Sequence, residues 1–241
     1  MKKALVLVAA VALCGQIAFA ERSREIGLKL GSLTNAGTKF ADEDYYFEDA
    51  KRKVTEGVDV GMYWHIGFGD AEKCAFSIQP EVFFSFLNGV KYEMNDEWGS
   101  MSDEFNYTSL DIALLFGCDI PVGKFSIRPF LGPKVGIPIG KMQDYLVIKV
   151  KGSSNDIEES KYKMTGATIG LDFGVGFAIP LGNFMLGADI RYGIDFNKVK
   201  TKTIMAVPDE EDTSAYRIIE DETKVLRRGA LGINVTAGWR F

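Results

Sequence analysis

The sequence predicts an all-β fold, a transmembrane antiparallel up-and-down barrel of about eight strands. Three observations predict it: apolar residues at every second position in run after run, connections that alternate between short and long, and glycine concentrated on the phase opposite the apolar one.

The alternation is clearest where Val58, Val60, Met62, Trp64, Ile66 and Phe68 interleave with Gly57, Asp59, Gly61, Tyr63, His65 and Gly67. A helix repeats every 3.6 residues and cannot give that pattern, whereas successive strand residues point to opposite faces. The same period returns from Phe76 to Phe86, from Leu110 to Ile120, from Phe125 to Ile139, from Ala167 to Ile179, from Phe184 to Phe196 and from Leu231 to Phe241. A shorter first run carries Ile26, Leu28 and Leu30, which brings the count to about eight.

Tight turns are expected at Gly69 to Lys73, Pro121 to Lys124 and Pro180 to Asn183, where glycine and proline supply turn geometry. Long polar segments follow the first, third, fifth and seventh runs. Short turns on one rim and long loops on the other are the signature of a bacterial membrane barrel, with both chain ends on the short-turn side.

Alternation alone does not say which face is inside, because a soluble barrel with an apolar cavity has the same period. Glycine decides it. Gly57, Gly61, Gly67, Gly132, Gly136, Gly170, Gly174, Gly176, Gly187, Gly193, Gly232 and Gly238 crowd the polar phase, which suits a narrow concave interior. The apolar phase is therefore expected to face lipid, and closure follows because backbone groups inside hydrocarbon must all be paired.

At the N-terminus, Lys2 and Lys3 precede an apolar stretch from Ala4 to Leu13 and an A-x-A site at Ala18 to Ala20. This reads as a signal peptide over residues 1–20, cleaved between Ala20 and Glu21, with residues 21–241 forming one barrel domain. The stretch is shorter than the roughly 20 residues a membrane helix needs. Lipidation at Cys14 is disfavoured by the bulk of the preceding Leu13. Removing Lys2 and Lys3 from 28 basic side chains leaves 26 against 33 acidic ones, a formal charge of −7. That balance offers no footprint for nucleic acid. Cys74 and Cys118 remain, on one phase near the short-turn rim. They could form a cross-strand bridge or stay as free thiols.

The inward phase carries Asp59, His65, Glu81, Asp111, Asp119, Arg128, Lys134, Asp172, Asp189, Arg191, Asp195, Arg228 and Arg240. Eight strands enclose just enough space for side chains, so these charges are expected to fill the lumen as a salt-bridged plug. The competing reading is a narrow polar pathway opened by rearranging pairs such as Arg128 with Glu81 or Arg191 with Asp172. His65 is the single histidine and points inward, so neither a lipid-facing catalytic site nor a zinc site is expected, and no cofactor. In the long connections, Asp42 to Asp49, Asp96 to Asp103, Tyr145 to Val150 and Asp209 to Asp212 carry acidic and aromatic residues that could meet extracellular ligands. Tyr145 to Val150 has strand character beyond the expected rim, either as a protruding edge open to a partner strand or paired with the next strand.

Two segments resemble the small bacterial outer-membrane proteins with an eight-strand barrel, similar in plan to OmpX, OmpW and the OmpA transmembrane domain. One is Tyr107 to Gly140 (Y-T-S-L-D-I-A-L-L-F-G-C-D-I-P-V-G-K-F-S-I-R-P-F-L-G-P-K-V-G-I-P-I-G). The other is Val235 to Phe241 (V-T-A-G-W-R-F), where Val235, Ala237, Trp239 and terminal Phe241 resemble the signal read by the outer-membrane assembly machinery. The resemblance implies outer-membrane lipid, that machinery and periplasmic chaperones as partners, a monomer as the working state, and location in the outer membrane of a Gram-negative-type envelope. Its implied functions are surface interaction through loops or, alternatively, a narrow channel or carrier for small or hydrophobic molecules. A lipid-modifying barrel enzyme ranks last.

Overall fold

The structure, a computed structural model, describes residues 21–40, 50–69, 74–95, 97, 99–150, 156–208 and 216–241. The signal segment, the acidic stretch 42–49, the residues Asp96 and Trp98, and the cluster 209–212 lie outside the described residues.

Along the chain run β1 (Glu21–Thr34), β2 (Lys39–Phe40), β3 (Lys51–Lys53), β4 (Glu56–Phe68), β5 (Ala75–Asn95), β6 (Gly99–Val122) and β7 (Phe125–Val150). They continue as β8 (Asp156–Thr165), β9 (Thr168–Leu181), β10 (Phe184–Asp195), β11 (Val199–Pro208), β12 (Tyr216–Arg227) and β13 (Gly229–Arg240). Thirteen strands among the described residues are more than the eight or so expected, and the pairing explains the excess. Eight of them, β1, β4, β5, β6, β7, β9, β10 and β13, close a ring in which every neighbour is antiparallel.

The other five prolong that ring outward. β7 pairs Lys141 with Lys163 of β8 and Gly136 with Thr168 of β9, which is one unbroken register, so β8 and β9 are one strand interrupted near Gly166. β11 continues β10 in the same way, and β3 continues β4 opposite β5. β5, β6 and β7 run through this level without a break but with irregular register at Ser85/Asn88 and Asn106/Thr108. Leu87, Gly140 and Gly166 adopt positive φ there. The kinks thus lie at one height, where the strands leave the ring and form a projecting collar.

Period-2 patterning sets which face each residue takes, and the faces are inverted relative to a soluble protein. Leu28, Leu30, Met62, Phe84, Leu131, Phe173, Leu186, Ile233 and Trp239 are all exposed on the outer wall. Glu25, Lys29, Glu81, Lys134, Asp172 and Arg191 are buried within. Such an outer wall matches hydrocarbon rather than water. Glycine permits the narrow interior at Gly61, where an added Cβ would lie 2.3 Å from Phe83 Cβ and 2.4 Å from the Val82 carbonyl. At one rim β6 joins β7 through Gly123 and Lys124, and β9 joins β10 through Gly182 and Asn183. Gly123 (φ 62°) and Gly182 (φ 68°) supply the positive φ that two-residue hairpins need at their first central position.

The stretch Tyr145 to Val150 is not a free edge. Tyr145 lies opposite Glu104 of β6 and Glu159 of β8, and pairing continues on both sides through Ile148. Its strand character past the rim is explained by the collar, which pairs both of its edges as far as Ile148 and the β6 edge through Val150.

Candidate functional site: the charged lumen

The lumen charges are stacked along the barrel from the short-turn rim to the collar. In the lowest layer, His65 lies between Gln79 and Asp119, 2.9 Å from each. Arg128 reaches Glu25 at 3.0 Å and Asp119 at 3.2 Å. Tyr63 donates to Glu25, its ring occupying the space left by Gly27 and Gly238. Gln79 then donates to Glu81 at 2.7 Å, which links this layer to the next.

The middle layer is the most tightly paired. Arg191 meets Glu81 at 2.7 Å, Asp189 at 3.0 Å and Asp172 at 3.4 Å. Lys29 shares two of those carboxylates, Glu81 and Asp189, and Asn234 donates to Asp189 at 2.7 Å. The Arg191 guanidinium also sits over the rings of Phe83 and Phe130, 5.7 and 5.2 Å from their centres. Two cations set among three carboxylates in a site with almost no exposure are held by charge-assisted bonds, which offset the cost of burying their charges.

Asp172 passes the network upward to Lys134 at 3.2 Å, and Lys134 bonds Asp195 at the same distance. Arg228 closes the series on Asp111 at 2.8 Å, with Ser85 and Ser109 donating to the same carboxylate. Above these charges the collar interior holds one buried apolar cluster of Val90, Tyr92, Phe105, Tyr107, Met142, Met164, Val199 and Leu226.

All the inward charges read from the sequence lie in or against the lumen, but not all are joined. Asp59 and Arg240 make no ion pair within the described residues, and Asp59 Oδ1 and Arg240 Nε are buried without a hydrogen-bond partner. Arg191 and Asp172 are neighbours, whereas Arg128 and Glu81 are not. The cause is register. Glu81 lies opposite Ala113, which lies opposite Lys134, so Glu81 falls in the row of Lys134. The pairing of Gly117 with Phe130 instead carries Arg128 to Asp119.

Sequence reasoning missed Glu25 and Lys29, although the outward phase of Ile26, Leu28 and Leu30 implies that both point inward. It also missed Phe83, Leu115 and Phe130 inside the lumen. Phe83 and Leu115 lie on the inward phase of runs read for their outward residues, such as Phe84 and Leu114, and their apolar character did not mark them as lumen residues. Cys74 and Cys118 are unbonded in the structure, with Cys74 exposed.

Space within the lumen is scarce. Between the layers one cavity of about 30 Å³ lies beside Tyr63 and Gln79, and another of about 10 Å³ beside Asp59 and Arg191. A water needs roughly 10–15 Å³ of such volume, so these hold a few waters at most. At the short-turn rim a vestibule of about 230 Å³ opens, bordered by Arg128, Asp119, Lys124 and Arg240.

The sequence matches the family described as outer membrane protein beta-barrel domain over residues 5–215. The chain belongs to this family. Membership accounts for the inverted faces and gives the barrel an outer-membrane location. A major outer-membrane protein of Thermus thermophilus has a similar structure, with TM-score 0.51 and 12% identity over 91% of this chain and 100% of that one. OprG of Pseudomonas aeruginosa is similar at TM-score 0.48 and 12% identity, over 91% of this chain and 95% of that one. No curated protein matches the sequence. At these identities the likeness concerns the fold, and an outer-membrane barrel can serve many activities.

Proposed function

We propose that this outer-membrane barrel is a non-catalytic surface protein whose lumen is closed by its ion-pair network and whose long connections make its outside contacts. The supporting observation is continuity: hydrogen bonds and ion pairs run from Asp119, at the rim vestibule, and His65 through Glu81, Arg191, Asp172 and Lys134 to Arg228, and the cavities described between the layers measure only about 30 and 10 Å³. The apolar collar cluster adds a second obstruction above the charges. Liposomes carrying the refolded barrel are expected to admit small sugars no faster than protein-free liposomes. Swelling in proportion to the protein content would favour the other reading, a narrow channel or carrier for small or hydrophobic molecules, to which the rim vestibule would serve as an entrance.

In this reading the chain is exported through the signal at residues 1–20 and works as a monomer. It is delivered by periplasmic chaperones to the outer-membrane assembly machinery. Val235, Ala237 and Trp239 stand exposed on the outer wall of the closing strand and exposed Phe241 follows its end, which supports reading them as the terminal signal. Deleting Phe241 is expected to lower the amount of folded barrel recovered from the outer membrane while leaving synthesis unchanged. Undiminished recovery would remove the assembly role.

A further inference from the structure

On the collar, register brings lysines face to face. Lys141 of β7 lies opposite Lys163 of β8, and Lys163 lies opposite Lys202 of β11, so three lysines form one row across three strands. Met142, Met164 and Thr201 are buried, which puts the row on the outward face, with Lys161 and Lys200 two residues away on that same face. Like charges directly opposite one another repel, and a sheet tolerates them only where something compensates.

Among the described residues the compensation is incomplete. Lys141 and Lys163 have no ion pair among the described residues, while Lys161, Lys200 and Lys202 are engaged in other contacts. By register the row ends at Glu222 of β12, opposite Lys202, and Glu159 of β8 stands two residues beyond Lys161. Elsewhere on the collar lysines are matched at once: Lys53 and Lys91 lie 3.6 and 2.9 Å from the same carboxylate, Glu93.

The height of the row supplies the second clue. Below it on the same wall stand Ile139 of β7, Ile169 of β9 and Phe196 just past β10, strongly exposed apolar side chains bordering the collar. The ammonium groups therefore lie where hydrocarbon gives way to headgroups, with stems long enough to reach along the wall. Three strands span about 10 Å, the scale of a lipid headgroup.

We propose that this lysine row binds the phosphate groups of the phosphorylated glycolipid of the outer leaflet, through charge-assisted bonds from Lys141, Lys163 and Lys202. The proposal rests on the reading that the long connections face outside. It makes the collar a lipid-anchored platform.

The test uses the full barrel extracted from a Gram-negative host into nonionic micelles, with fluorescent diphosphorylated lipid A as probe. Binding is expected to weaken with salt, and to weaken about tenfold or more in a variant carrying Lys141→Gln and Lys163→Gln. Lys141→Arg with Lys163→Arg should retain it, and Lys53→Gln with Lys91→Gln should leave it unchanged. Equal binding of chemically dephosphorylated lipid A, equal binding of phosphatidylglycerol, or wild-type affinity in the glutamine variant would each overturn the proposal. Circular dichroism establishes that each variant is folded. The orientation is read separately by antibody staining of a peptide tag within residues 209–215 on intact cells. A hidden tag would reverse the orientation and remove the glycolipid as ligand even if micelle binding persisted.

Discussion

Replacing Arg191 with leucine is expected to lower the unfolding free energy by about 3–5 kcal/mol, the cost of leaving buried charges without their partner. Arg191 serves Glu81, Asp189 and Asp172 at once, and its removal leaves Lys29 with two carboxylates and Lys134 with two. Arg191→Lys should recover only part of the loss, because one ammonium cannot reproduce a planar fork bonded to several carboxylates and stacked against Phe83 and Phe130. In the double variant Glu81→Leu with Arg191→Leu the loss should fall short of the sum of the single losses by about 0.5–3 kcal/mol. Urea titration of the vesicle-embedded barrel measures the wild type, the single variants Arg191→Leu, Arg191→Lys and Glu81→Leu, and the double variant. A loss under about 1 kcal/mol for Arg191→Leu would mean that the network has little energetic weight, the usual result for an exposed pair.

The second large effect concerns the outer wall. Leu30 is central on β1, exposed, and flanked by Val60 and Val235 on the neighbouring strands. Leu30→Arg places a charge in hydrocarbon and is expected to cost about 2–4 kcal/mol in the same titration. Val147→Arg, on the same outward phase but on the collar, should stay within about 0.5 kcal/mol. Equal costs at the two positions would contradict the assignment of Leu30 to the lipid-facing band and of Val147 to the region beyond it.

These two experiments separate what the sequence makes legible from what it does not. The faces were legible, because strand geometry forces side chains to alternate and the runs through Val58 to Phe68 and Leu231 to Phe241 keep strict phase. The inward charges followed from that phase, as Asp189 and Arg191 illustrate on β10. Their partners were not legible. Which carboxylate meets Arg128 depends on the stagger between β6 and β7, and the stagger is set by turn geometry and closure rather than by Arg128 itself. The collar was hidden for a related reason: Tyr145 to Val150 reads as a strand, yet its neighbours on β6 and β8 are polar stretches whose strand character comes from being paired. Lys141, Lys163 and Lys202 are far apart in sequence, and only the registers of β7, β8 and β11 bring them into one row.

The closed lumen is the central claim, and current through single barrels tests it most directly. Refolded protein in a planar bilayer, inserted as monomers, is expected to give no steady conductance above the bare membrane if, as proposed, the charged layers from Asp119 to Arg228 close the lumen. Steady ion conductance from monomers with the wild-type charge network would contradict the account and make the barrel a channel.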